Sequence, residues 1–394
     1  MQIVPYLLRA PVCPRRAELS GKLSKDYLAR AKDDQTTSPC SLYTLILNQT
    51  PAHARGASAE QKDKSMSKSM DAPEQPTLRS RRVRRWLAHL WREWTIESWR
   101  PVASAFAKPE PLKWNDTQVT AAWIGHATVL INFFGINILT DPVLFPRIGI
   151  RLLGFTIGPK RLTAPALQFH ELPRIDLILL SHAHFDHFDL RTLHHFDENT
   201  SVITAPNTAD LLRWTRLRDI TELRWGETKV LNIAGQTKGT IAIRAFQVKH
   251  WGARKQRDDY RGYNGYIMER NGRRILFAGD TAMTDSFAKL QQPIDLAIMS
   301  IGAYNPWIHS HCTPEQAVEM ATAAGAQFIM PVHHQTFRLS FEPLREPIER
   351  FQAILRNTPE RIALREIGET FVLPLWPRLC ETLDEEQTKE QEPR

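Results

Sequence analysis

Cysteine is scarce in this chain. There are four in 394 residues, Cys13, Cys40, Cys312 and Cys380, and no CxxC pair among them. That excludes a disulfide framework and a cysteine-rich zinc module, and it fits a reducing compartment. A secretory signal is lacking as well: Met1–Val12 is briefly apolar, but no basic stretch precedes it and Pro5 interrupts it. Charge is absent from Thr117 to Thr140, 24 positions, which is long enough to cross a bilayer. Gly125, His126, Asn132, Gly135 and Asn137 punctuate that run, as hairpins do and spanning helices do not. Two or three short strands are expected there, and no transmembrane span. The chain beyond residue 100 also lacks net charge. Of the formal +8, the first 100 residues supply 18 Lys/Arg against 10 Asp/Glu, and the remaining 294 hold 33 of each. No basic stripe suited to nucleic acid follows, so no nucleic-acid partner is expected.

What is present divides into four stretches. Residues 1–78 mix Lys, Ser, Gln, Asp and Pro with little periodicity and are expected to form a disordered leader. Over 79–101 the composition changes. Arg79, Arg81, Arg82, Arg84 and Arg85 lead into Trp86, Leu87, Leu90, Trp91 and Trp94, which with Val83 lie on one face of a helix that Pro101 stops. This basic amphipathic helix either packs its Trp face on the following domain or makes a peripheral membrane contact through Arg79–Trp99. Residues 102–378 read as one catalytic domain and 379–394 as an acidic tail. The expected location is cytoplasmic, or peripheral on the inner face of a membrane.

Within the domain, strands are expected at 121–124, 128–133, 136–139, 175–180, 201–204, 240–248, 265–269, 274–278, 294–301 and 328–332. Helices are expected at 208–216, 313–324 and 346–355, and a glycine- and proline-bearing loop at 142–165. Asp141, His182, His250, Asp280, Gly302 and His333 each fall just past the C-terminal end of such a strand. Sites in layered α/β proteins gather along that kind of edge.

The chemistry concentrates in Ser181-His182-Ala183-His184-Phe185-Asp186-His187-Phe188-Asp189, directly after an apolar strand. In a loop leaving a strand, His182 and His184 can aim at one ion and Asp186 and His187 at a neighbour. Imidazole with carboxylate suits Zn, Fe or Mn rather than Ca or Mg. Each ion needs further ligands, and His250, Asp280 and His333 are the candidates. His333 is preferred to His334 because it comes first off its strand. Two ions about 3.5–4 Å apart can share a hydroxide and lower its pKa toward neutrality, which suits hydrolysis of a phosphodiester, lactone or amide.

These residues, with Gly279-Asp280-Thr281, resemble the metallo-β-lactamase superfamily. Trp123-Ile124-Gly125-His126-Ala127-Thr128, Thr140-Asp141-Pro142, Gly158-Pro159-Lys160-Arg161, Glu171-Leu172-Pro173, Ile301-Gly302-Ala303-Tyr304, His311 ahead of Thr313-Pro314-Glu315-Gln316-Ala317, and Thr336-Phe337 resemble its N-acylphosphatidylethanolamine-hydrolysing phospholipase D branch. The likeness spans about residues 112–375. It implies an α/β fold, a four-layer αββα sandwich, with two zinc ions (iron or manganese as alternatives). His182, His184 and His250 would hold one ion, Asp186, His187 and His333 the other, and Asp280 would bridge. Asp186 and His311 would be catalytic, the first orienting the nucleophilic water and the second near the substrate phosphate. The implied activity is a phospholipase D-type phosphodiesterase working through a metal-bridging hydroxide. Alternatives are a lactonase or phosphodiesterase for a small soluble phosphorylated substrate, and a non-hydrolytic redox or nucleic-acid-processing protein. Phe185 stands where that branch has tyrosine, Asn305 where it often has glutamate, and His334-Gln335 where it has Trp-Gly.

Overall fold

A computed structural model describes residues 95–96, 98–235, 238–255, 258–290 and 292–375. The leader at 1–78, most of the basic helix and the acidic tail lie outside the described residues; of that helix, 95–96 and 98–99 are described as helical.

The uncharged run from Thr117 folds as an antiparallel meander, β1 (Val119–Gly125), β2 (Thr128–Phe133) and β3 (Ile136–Thr140). Gly125 closes β1 at φ 133° and Gly135 makes the β2–β3 turn at φ 87°, while Asn132 and Asn137 lie within β2 and β3. β6 (Leu177–Leu180), β7 (Ser201–Thr204) and β8 (Ile220–Glu222) add in parallel on one side, and β15 (Thr370–Val372) pairs antiparallel with β1 on the other. The result is a seven-stranded sheet.

The second sheet has six strands: β9 (Thr228–Asn232), β10 (Thr240–Phe246), β11 (Gly265–Arg270), β12 (Arg273–Phe277), β13 (Ile294–Ser300) and β14 (Ala326–Val332). β9 to β12 run antiparallel, while β12, β13 and β14 are parallel.

Alternating side chains explain why the sheets stack. Ala121 and Trp123, Leu177 and Leu179, Leu296 and Ile298 all enter one core between the sheets. Their neighbours turn outward: Ala122, Ile124, Ile178 and Leu180 to a second core, Ala297 and Met299 to a third. Both faces of each sheet are therefore covered, which is why β1, β2, β6 and β13 read as continuous apolar runs. Burying one Leu, Ile or Phe there contributes about 1.5–3 kcal/mol.

The outer layers are unequal. Over the second sheet lie α2 (Pro314–Ala323) and α3 (Glu346–Ile354), whose Ala317, Met320, Ile348 and Phe351 fill the third core. Thr313 caps α2 in a capping box with Gln316. Over the first sheet lie only the four-residue α1 (Leu190–Leu193) and short 3₁₀ turns among the described residues. The helix expected over 208–216 is such a turn, Ala209–Trp214. The loop expected at 142–165 carries a detached hairpin, β4 (Ile150–Leu152) with β5 (Phe155–Ile157). β8, β9 and β15 went unread, being short edge strands whose few side chains carry little period-two signal.

Candidate metal centre

Strand direction assembles the site. β3 and β6 are parallel, and β1 runs with β3 because both are antiparallel to β2. β10 and β12 likewise run together, both being antiparallel to β11, and β13 and β14 join them. The residues following β1, β3 and β6 are His126, Asp141 and the 181–189 loop. Those following β10, β12 and β14 are the 247–250 segment, the 278–280 turn and His333. The two edges meet: the His333 backbone N–H donates to the His126 carbonyl at 3.0 Å, and the Asn264 N–H to the Ser181 carbonyl at 2.9 Å. Backbone strain collects here, with His126 at φ 56°, Asp141 at 33°, Ala303 at 63° and His333 at 64°. Gly279 has φ 59°, and a Cβ on it would meet the Ser181 Cβ at 2.7 Å, so only glycine lets Asp280 approach the histidine loop.

The structure brings all eight expected residues together, in two groups. In the first, His182 Nε2 lies 2.8 Å from His184 Nδ1, and His250 Nε2 lies 3.3 Å from the same atom. Burial, and then repulsion among the imidazoles, holds His182 and His184 well below the usual histidine range, and burial lowers His250 too. The rings are therefore neutral, and their outer hydrogen bonds fix which nitrogen bears the proton. His250 Nδ1–H donates to the Ser310 carbonyl at 2.8 Å. Ser181 Oγ–H donates to Asp141 Oδ2 at 2.5 Å, which leaves Ser181 Oγ to accept from His182 Nδ1–H at 2.8 Å. The inner nitrogens of His182 and His250 are thus unprotonated, and both turn their lone pairs toward His184 Nδ1. That is the donor set of a borderline metal ion.

The second group is richer in carboxylate. His187 Nδ1–H donates to Asp141 Oδ2 at 2.6 Å, leaving Nε2 to face Asp280 Oδ2 at 3.1 Å and Asp186 Oδ2 at 3.5 Å. His333 Nε2 lies 3.1 Å from His187 Nε2, 3.2 Å from Asp280 Oδ2 and 3.5 Å from Asp186 Oδ2. Burial would raise both carboxyls, yet the surrounding histidines hold Asp186 and Asp280 well below the usual range. Burial would lower His333, but Asp280 and Asp186 lift it to about 9. Against burial, the same carboxylates also hold His187 well above the usual histidine range, so His187 and His333 supply the positive charge that faces them, a charge that a metal ion bound here would replace. Asp280 also groups with His250 and His311, so it reaches toward both sets of donors. Its other oxygen accepts from Ser300 Oγ at 2.9 Å.

Two residues at the site had no role in the sequence reading. His126 is buried and pushed down to about 3 by burial and by His333, so it is neutral. Its Nε2 then donates to the anionic Asp186 Oδ2 at 3.0 Å, which orients that carboxylate. Asp141 accepts from His187 directly and from His182 through Ser181, so one carboxylate aligns a ring of each group. Both residues follow strands on the site's edge, and that was the available signal. His334 is buried, pushed down to about 3, and tilted against Trp123 at 4.5 Å between ring centroids, away from the cluster.

A pocket of about 420 Å³ opens on the cluster. Trp251, Pro306, Trp307 and Leu339 give it apolar walls, and His309 and His311 line it together with His184, Asp186 and Asp280. Burial pushes His311 down to about 3, and its Nδ1 lies 3.7 Å from Asp280 Oδ2. Arg254 lies over the Phe185 ring at 4.1 Å and donates to the Ala183 and Phe188 carbonyls, which braces the histidine loop from behind.

A family model described as a β-lactamase superfamily domain matches residues 136–334. An uncharacterised protein of Mycobacterium tuberculosis is 30% identical over 277 residues, covering 67% of this chain and 71% of that protein. A Caenorhabditis elegans protein named N-acyl-phosphatidylethanolamine-hydrolyzing phospholipase D 1 is 30% identical over 258 residues, covering 61% of this chain and 71% of its own. Among solved structures, an isothiocyanate hydrolase from Delia radicum gut bacteria superposes with a TM-score of 0.52 at 17% identity, over 64% of this chain and 98% of that one, a likeness of fold. Two sheets meeting at one edge, a histidine loop on that edge and these matches place the chain in a single group: it belongs to the metallo-β-lactamase superfamily of metal-dependent hydrolases.

Proposed function

We propose that the protein is a dinuclear zinc hydrolase that cleaves phosphodiesters in the manner of a phospholipase D, with N-acylphosphatidylethanolamine-like lipids as substrates. The observation that supports this most is the pairing of two converging donor groups with a pocket that joins apolar walls to three histidines and two aspartates. On this reading His182, His184 and His250 hold one ion, Asp186, His187 and His333 the other, and Asp280 serves both. Such ions, when bound, supply a water-derived nucleophile at neutral pH and neutralise phosphate charge.

The chain's own residues do the rest. Asp141 fixes the tautomers of His182 and His187, and His126 sets the angle of the Asp186 carboxylate. His311, kept neutral by burial, offers an N–H to a phosphate oxygen. Trp251, Trp307 and Leu339 hold an apolar group beside the phosphate and exclude water from it. A peripheral membrane contact by the basic Arg79–Trp99 segment belongs to the same proposal.

The second reading, a lactonase or phosphodiesterase for a small phosphorylated substrate, draws on the pocket's modest volume, which suits a small ligand. A panel of N-acyl phospholipid, ascorbate-6-phosphate lactone and a chromogenic phosphodiester separates the two. Turnover of the lactone alone would remove the phospholipase reading. Elemental analysis of the purified protein tests the metal content, and fewer than two ions per chain would count against a dinuclear centre.

A further inference from the structure

The detached hairpin β4–β5 has a composition that its structural role does not explain. Among the described residues it pairs only with itself and belongs to neither sheet. Ile150, Leu152, Leu153, Phe155 and Ile157 are 49, 56, 88, 65 and 39% exposed. Water-facing hairpins are ordinarily polar at such positions. Leu153, the most exposed of the five, also sits at φ 48° at the tip, where asparagine or glycine is strained far less than leucine. An apolar side chain has been kept against both solvation and backbone preference. Side chains held in that way mark a contact with something apolar.

The charge around the hairpin says what that something is. From Pro142 to His170 there is no Asp or Glu; Arg151 stands exposed beside the tip, while Arg147, Lys160 and the buried Arg161 bond to backbone carbonyls at the base. The base is firmly anchored. Gly149 and Gly158 approach so closely that a Cβ on either would meet the opposite carbonyl oxygen at 2.1–2.2 Å. Arg191, at the start of α1, donates to Thr156 Oγ1 at 2.8 Å and to the Arg147 carbonyl, tying the hairpin to the end of the histidine loop. Lys160 donates to the carbonyls of Ser98 (2.9 Å) and Arg100 (2.6 Å), so the arginine-rich stretch 79–100 ends at the hairpin's base. An apolar tip flanked by an exposed arginine, in a stretch without acidic residues, matches the boundary between anionic headgroups and acyl chains.

We propose that the β4–β5 hairpin is a membrane-docking wedge: its apolar tip enters the outer acyl region of a bilayer while the exposed Arg151 faces anionic headgroups. The inference stands whether the substrate is a lipid or a small soluble ester, because docking is read without turnover.

The test is co-sedimentation of the full chain with vesicles of phosphatidylcholine alone, or of equal parts phosphatidylcholine and phosphatidylglycerol. The wild type should sediment with the anionic vesicles and less so as salt is raised. A Leu152→Ser/Leu153→Asn variant should bind about tenfold more weakly. Its thermal midpoint should be unchanged or higher, since asparagine suits the tip conformation. Trp214→Ser, which removes an equally prominent exposed side chain outside the hairpin, should bind as the wild type does. The proposal is overturned if the wild type binds neither vesicle, or if the hairpin variant binds as well as the wild type. It is equally overturned if the variant instead loses a dimer that the wild type forms in solution, or melts at a markedly lower temperature, because then a second copy or the chain itself covers the tip.

Discussion

From the first sheet come His182, His184, Asp186 and His187, four donors within six residues of one loop; from the second come His250, Asp280 and His333, one per strand end. The loop donors are set by a single local turn, in which the His187 and Phe188 N–H groups both reach the His184 carbonyl. The others reach the centre only because β10, β12 and β14 share a direction and a register. Local geometry can therefore build half of such a site, but completing it takes the packing of two sheets.

Four measurements would break or sharpen that contrast. Asp280→Asn keeps the shape but removes the charge that reaches both donor groups, so hydrolysis of a chromogenic phosphodiester should fall on the order of 10³-fold, several kcal/mol of transition-state stabilisation. Its circular dichroism should match the wild type; unchanged turnover would mean that the second sheet is not needed at the centre.

Core truncation comes next. Leu179→Ala in β6 and Ile298→Ala in β13 remove side chains from the same inter-sheet core, one from each sheet. Each should lower unfolding free energy by about 2–5 kcal/mol in urea titrations. A large loss from only one of them would show that the sheets are not stabilised as a unit.

Asp141→Asn should weaken metal retention about 10–100-fold against a chelator, because it disturbs one ring of each group. Ser181→Ala should do less, since it loosens only His182; equal effects would contradict the shared role of Asp141. Thr313→Ala removes the cap of α2, an element that carries no metal donor although its cap stands two residues after His311. It should cost about 1 kcal/mol of stability and lower turnover far less than Asp280→Asn does.

Much of this was readable along the chain, and the failures have physical causes. The meander, β6 and β13 were legible as short apolar runs bounded by turn residues, β10 and β11 by their alternation, and α2 and α3 by a period of 3.6. The 208–216 segment read as helix because Leu211, Leu212 and Trp214 mimic a helical stripe, yet tertiary packing settled it as 3₁₀. The β4–β5 hairpin escaped because each strand is only three residues long, too short for the alternation Ile150-Arg151-Leu152 and Phe155-Thr156-Ile157 to stand out from the loop around it. His126 and Asp141 lacked a role because neither stands near another donor in sequence, although each follows a strand as His182 does.

The sequence by itself determined the metal-binding character of the His182–His187 loop, the α/β class and the strand-end placement of His250, Asp280 and His333. These follow from residue chemistry and from periodicities a few residues long. Only the tertiary structure decided that Asp141 serves a ring in each group, that His126 rather than His334 reaches the cluster, and that an apolar hairpin stands beside it. Each of those depends on which strand ends are brought to the same edge, a matter of long-range packing that no local pattern encodes.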